Sequence, residues 1–146
     1  MNYLVVALLV ILDQIAKYMV KNRFEVGESI PIIKDVFHLT YVQNIGAAFG
    51  ILENQKIFFV MITVLVISGI IVFIRTQKNI HKIVLFSLSL IVGGAIGNLI
   101  DRVKLGYVVD YFDFRIWPVF NIADTSIVVG AILLSYYLIF IDGKRD

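Results

Sequence analysis

The sequence predicts an all-α membrane protein: four transmembrane helices in a bundle, with a short β element outside the bilayer. Two observations carry this. Hydrophobic residues make up 60% of the 146-residue chain and charged residues 16%, at a mean hydropathy of +0.90. A soluble domain this small needs more polar surface than that, because surface outgrows volume at small size. The second observation is four apolar runs of near-spanning length, since about 20 helical residues cross a hydrocarbon core of about 30 Å. By size the chain is one domain.

The first run, Tyr3 to Val20, is apolar except for Asp13 and Lys17. It lacks a basic start and a small-residue cleavage site, so it reads as a retained helix rather than a signal peptide. Residues 22–55 follow as an external segment. Gly27 and Pro31 punctuate it, and Val36 to Tyr41 partly alternates polar and apolar, as a surface strand or hairpin does. The second and third spans are Ile57 to Ile74 and Ile83 to about Asp101, with eighteen uncharged residues in each of the stretches 57–74 and 83–100. A second external segment, 103–120, gathers Tyr107, Tyr111, Phe112, Phe114, Trp117 and Phe120, a composition suited to the headgroup region. The fourth span runs from Ile122 to Ile141 if Asp124 lies in its first turn.

Four spans put both termini on one side. The short connection with Arg75, Lys78 and Lys82, and the tail with Lys144 and Arg145, are densely basic. The opposite side has as many basic residues, spread over longer segments. Density, though not raw count, assigns the termini to the cytoplasm.

Several chemistries are excluded. There is no cysteine, which rules out thiol catalysis, disulfides and thiolate metal sites. His38 and His81 are the two histidines and lack zinc-protease spacing, so no metal and no cofactor are expected. A net charge of +2 with scattered basic residues offers no nucleic-acid surface.

Ionisable groups in the apolar segments each demand a reason, because an unpaired charge in a membrane costs several kcal/mol. Asp13 and Lys17 stand four apart on one helix face and read first as a structural ion pair. Gly93 and Gly97 have the GxxxG spacing of close helix packing. Asn98, Asp101 and Arg102 share a face just beyond. Asn121 and Asp124 read either as a cap of the fourth helix or as something more. Asp110 tips that balance: it lies in Val108-Val109-Asp110-Tyr111-Phe112 with no neighbouring base, so its pKa should be raised. Asp110 and Asp124 flank a segment that must fold back to the same membrane face. Two carboxyls meeting there could share one proton, as aspartic proteases require. The spacing leaves open whether they meet.

These residues have a known pattern. Asp13-Gln14-Ile15-Ala16-Lys17, Asn44-Ile45-Gly46-Ala47-Ala48-Phe49-Gly50 and Gly93-Gly94-Ala95-Ile96-Gly97-Asn98-Leu99-Ile100-Asp101-Arg102 occur in order. Val108-Val109-Asp110-Tyr111 and Phe120-Asn121-Ile122-Ala123-Asp124 complete the series. Over essentially its whole length the chain resembles signal peptidase II, the lipoprotein signal peptidases, a family of bacterial membrane aspartic proteases. The resemblance implies a four-helix bundle with a small extracytoplasmic β-sheet in the cytoplasmic membrane. It implies Asp110 and Asp124 as the catalytic pair, Asn44, Asn98, Arg102 and Asn121 lining the substrate site, and Asp13, Lys17 and Asp101 as supporting polar residues. The implied substrate is a diacylglyceryl-modified prolipoprotein in membrane lipid, cut before its lipidated cysteine. Cyclic peptide antibiotics of the globomycin type are further implied ligands. Ala16 departs from the family, which usually carries Ser or Thr before the lysine.

Other classes fit less well. A transporter would place its ionisable residues near the midplane among broken helices, not at one edge of long spans. A Ser–Lys protease would need an external serine beside a lysine, and Ser29 and Lys34 both lie in the strand segment. A binding or scaffold protein would tolerate neutral replacement of both aspartates.

Overall fold

The computed structural model describes residues 1–46 and 55–142. Residues Ala47, Ala48, Phe49 and Gly50 of the second motif, and Lys144 and Arg145 of the tail, lie outside the described residues. The element order is α1 (Tyr3–Arg23), β1 (Ser29–Ile33), β2 (Phe37–Asn44), α2 (Lys56–Thr76), α3 (Lys82–Lys104), β3 (Val108–Asp113) and α4 (Ile122–Phe140). All four helices are long and apolar enough to cross a membrane.

The helices begin and end where local chemistry says they should. The Asn2 side chain caps α1 by accepting from the Val5 N–H, and Lys21 and Arg23 sit in its last turn, where the helix dipole favours cations. His81 caps α3 through Nδ1, and Arg102 and Lys104 close it. Asn121 and Asp124 form a complete capping box on α4.

Packing is uneven. α3 is the central helix and touches each of the others, while among its residues α2 buries none. Lipid is as apolar as Leu, so burying Leu against Leu gains little here, and close approach and polar contacts must hold the bundle. The glycines of α3 supply the approach. A Cβ on Gly93 would press on Leu9 of α1, and one on Gly94 would collide with the Ala123 carbonyl and Ser126 of α4. The GxxxG patch therefore packs α3 against two helices at once.

At one end of the bundle lies a three-stranded antiparallel sheet in the order β1-β2-β3. The expected hairpin is β1 and β2, turning at Asp35, which takes a positive φ of 60° that Asp tolerates better than most residues. The second external segment also contains a strand, which its residue pattern does not predict. Five of the six residues of β3 are buried, so polar and apolar positions do not alternate along it. Tyr41 of β2, Val109 and Tyr111 of β3, and Val20 of α1 form one apolar cluster, which seats the sheet on the helix ends.

Candidate active site

The polar residues singled out in the sequence converge where α1, α3, β3 and the start of α4 meet. Lys17 is the hub. Its Nζ lies 2.9 Å from Asp13 Oδ2 and 3.0 Å from Asp101 Oδ2, and donates to Asn98 Oδ1 at 2.9 Å. All four residues are buried. The pair Asp13–Lys17 is thus the expected i, i+4 ion pair, but it is part of a larger network. The free oxygen of Asp13 accepts the Ala123 N–H at 3.1 Å, so one carboxylate ties α1 to α4. Asp101 Oδ2 also accepts the Val109 N–H at 3.0 Å, which fixes β3 one residue before Asp110.

Each of the two candidate carboxyls has one donor on each oxygen. Asp110 Oδ1 accepts from Asn121 Nδ2 at 2.7 Å and Oδ2 from Asn44 Nδ2 at 2.9 Å. Asp124 Oδ1 accepts from Asn98 Nδ2 at 2.7 Å, and Oδ2 from the Asn121 backbone N–H at 3.3 Å. Asn121 Nδ2 also reaches Asn98 Oδ1 at 3.1 Å, which joins the two halves. The capping box and the polar site are the same residues. The cap engages Oδ2 of Asp124 and leaves Oδ1 to Asn98, so both readings of Asn121 and Asp124 hold together.

The two carboxyls differ in setting. Asp110 is 1% exposed, whereas Asp124 is half-buried at the edge of the cluster. Burial, and then the charge of Asp124, push Asp110 up to about 7. Hydrogen bonds from Asn44 and Asn121 and the charge of Lys17 act the other way and are outweighed. Asp124 sits in the first turn of α4, within its capping box and beside the positive end of the helix dipole.

Arg102 stands at the rim. Its guanidinium lies 4.9 Å from the centre of the Phe59 ring of α2, and Nη2 is 3.5 Å from the Gly46 carbonyl. Asp124 and Asp110 are both within its electrostatic reach. Arg102 therefore adjoins the polar cluster while its guanidinium contacts Gly46 and Phe59. The amides of Asn44, Asn98 and Asn121 are engaged with carboxyls here, an orienting arrangement that the resemblance alone did not imply.

Gln14 is a site residue that the sequence reading passed over. Its Nε2 donates to Asp101 Oδ1 at 3.0 Å and to the Gly97 carbonyl at 3.3 Å, binding α1 to α3 beside Lys17. The available signal was its place between Asp13 and Lys17 in an otherwise apolar helix. Among the described residues no group of acidic and histidine side chains could hold a metal ion.

A family model described as signal peptidase (SPase) II matches residues 5–140. The chain belongs to the signal peptidase II family. It is 57% identical over 138 residues to the lipoprotein signal peptidase of Halothermothrix orenii, covering 94% of each chain. With that of Moorella thermoacetica it shares 49% identity over 146 residues, 99% of this chain and 97% of the other. A solved bacterial membrane enzyme, determined by the in meso method at 2.3 Å resolution, superposes with a TM-score of 0.92 at 34% identity. That likeness covers 99% of this chain and 90% of the other. Family membership makes this a multi-pass membrane protease, as the sequence resemblance implied.

Proposed function

We propose that the protein is an aspartic endopeptidase that removes the signal peptide from diacylglyceryl-modified prolipoproteins, cutting just before the lipidated cysteine, with Asp110 and Asp124 as the catalytic pair. The observation that carries this reading is the asymmetric pair of carboxyls, bridged by Asn98 and Asn121 and differing in burial. Protein names among the relatives supply the substrate class.

The chemistry follows from the asymmetry. Asp124, stabilised as a carboxylate by the α4 terminus, takes a proton from water as the water attacks the carbonyl before the cysteine. Asp110, pushed up to about 7 by burial, donates in its protonated form to that carbonyl oxygen as the tetrahedral intermediate forms. On collapse the C–N bond breaks, and the proton gained by Asp124 passes to the departing nitrogen. The intermediate's hydroxyl returns its proton to Asp110, which restores both groups. Coupled carboxyls titrate as a pair, so the pH profile describes the pair rather than either residue. Arg102 at the rim suits an orienting contact to substrate backbone.

Asp110→Asn and Asp124→Asn preserve shape and hydrogen bonding while removing acid–base function. Each should lower cleavage of a purified lipidated precursor by at least about 10³-fold, with the helical bundle still folded in detergent. Near wild-type cleavage by either variant would rule out the pair.

The proposed orientation places both termini in the cytoplasm and the sheet and carboxyls at the outer face. The chain has no cysteine, so single-cysteine labelling is clean. In intact cells Glu28→Cys should react with a membrane-impermeant maleimide and Asn79→Cys should not. The reverse pattern would invert the topology.

A further inference from the structure

At the end of the bundle remote from the carboxyls, a cleft of roughly 530 Å³ opens between α2, α3 and α4. Along α3, the cleft's deepest lining residue, Leu88, is ten residues from Asn98, and its rim is further off, so the cleft lies at least about 15 Å from the polar site. Its floor is apolar, lined by Gly69 and Phe73 of α2, Leu88 of α3 and Leu134 of α4. Gly69 lies eight residues before Gln77 at the rim, which makes the cleft about 12 Å deep along the helix. A Cβ on Gly69 would meet nothing within 4 Å, so the space beside it is open. Such a slot, running from a headgroup-level loop into the hydrocarbon zone, has the form of an acyl chain.

The rim has donors. Lys78 and His81 both line the mouth. His81 Nδ1 accepts the Ile83 N–H at 3.2 Å, which leaves the ring proton on Nε2 as a donor. The His81 ring is held in place by stacking on Tyr137, 4.8 Å between centroids. Asp142 is the acidic group at the rim, and the Tyr137 hydroxyl donates to it at 3.2 Å. Arg75 and Lys82 flank the same connection. Among the described residues neither they nor Lys78 form an ion pair, so the loop presents three cations against one engaged carboxylate.

We propose that this cleft binds an anionic phospholipid, one acyl chain lying between α2 and α4 and the phosphate held at the rim by Lys78 and His81. Charge complementarity selects an anionic headgroup over a zwitterionic one, and the depth of the slot selects a lipid over a soluble phosphate. The bound chain would add cover to α2, which packs on α3 through Ile70 and Ile74 but buries none of its residues.

The test is native mass spectrometry of the full-length protein released from bilayers of phosphatidylglycerol, of phosphatidylcholine with the same acyl chains, or of phosphatidylcholine with added oleic acid. Wild type should retain one phosphatidylglycerol at least about fivefold more tightly than phosphatidylcholine, the effect expected of one basic residue at an anionic headgroup. Gly69→Phe, which fills open space, should lose retention while its unfolding temperature is unchanged. Lys78→Gln should reduce phosphatidylglycerol retention to the phosphatidylcholine level and Lys78→Arg should restore it. This pair decides the matter if Gly69→Phe fails to fold. Equal retention of the two phospholipids by wild type, full retention by Gly69→Phe, or no effect of Lys78→Gln would overturn the proposal. So would oleic acid held as tightly as the phospholipid, or a protein dimer appearing as lipid is stripped.

Discussion

Lys17 shows how single residues are made tolerable in this bundle. A buried cation with one carboxylate would still lack donors and acceptors enough to offset its lost hydration, and here Asp13, Asp101 and Asn98 all face it within 3.0 Å. Removing it would leave two buried carboxylates facing each other. Asp110 is the opposite case: among the described residues no cation lies in hydrogen-bond reach of its carboxyl, and burial pushes it up to about 7. Its ordinary value of 3.8 rises to about 7 on folding, so the folded chain binds this proton more tightly than the unfolded one. The resulting stabilisation is fully present below about pH 4 and is lost as pH rises towards about 7. Over that window the difference in unfolding free energy between wild type and Asp110→Asn should change by up to about 4 kcal/mol, at 1.36 kcal/mol per unit. Urea or SDS unfolding in detergent, run at several pH values, measures it; parallel pH dependences would contradict the raised value. If Asp110 is the acid, as proposed, kcat/KM should fall on the alkaline side of the same range as it loses its proton.

Among the elements, α3 sets the geometry. Its glycines let α1 and α4 approach closely enough for Asp13 to reach the Ala123 N–H and for Asn98 to reach Asp124. A Cβ on Gly97 would stand 2.5 Å from Asp13 Oδ2 and 3.3 Å from the Ala123 Cβ. Gly97→Ala should therefore displace the Asp13 carboxylate and destabilise the bundle by about 1–3 kcal/mol, as overpacking does. Gly69→Ala meets open space and should be neutral or stabilising by up to about 1 kcal/mol, the usual helix preference for Ala. Thermal unfolding of the two variants side by side checks the contrast. Equal melting temperatures would mean that the α3 approach is not tight.

The whole molecule is organised by depth. The sheet sits on the helix ends with Ile116 and Trp117 exposed beyond it, the carboxyls lie just beneath, and the apolar spans continue below. On the proposed mechanism a peptide bond has to be brought to that level. Acyl chains on the substrate would hold it there, each buried CH₂ contributing about 0.8 kcal/mol to partitioning. The proposed diacylglyceryl group then positions the scissile bond as well as marking it, because remote binding energy can be used to orient a reacting bond. Lipidated and unlipidated forms of one precursor, compared in the same bilayer, should differ in kcat as well as KM. Equal kcat/KM for the two would remove this role for the lipid.

Composition and periodicity were sufficient for the four spans and for a strand or hairpin in the first external segment, and lipid makes charges such as Asp13, Lys17 and Asp110 conspicuous in an apolar run. Their partners were not legible. Asp110 and Asp124 are fourteen residues apart, and nothing in that interval says that Asn121 and Asn98 will bridge them. Strand β3 was hidden because it is buried on both faces and so lacks alternation. Gln14 was hidden because an uncharged amide in a helix costs too little to stand out. Those features depend on contacts between residues distant in sequence, such as Gln14 with Asp101 and Asp13 with Ala123. Only helix packing brings such groups within hydrogen-bond range, so the chemistry of the residues was written in the chain and their arrangement was decided by the tertiary structure.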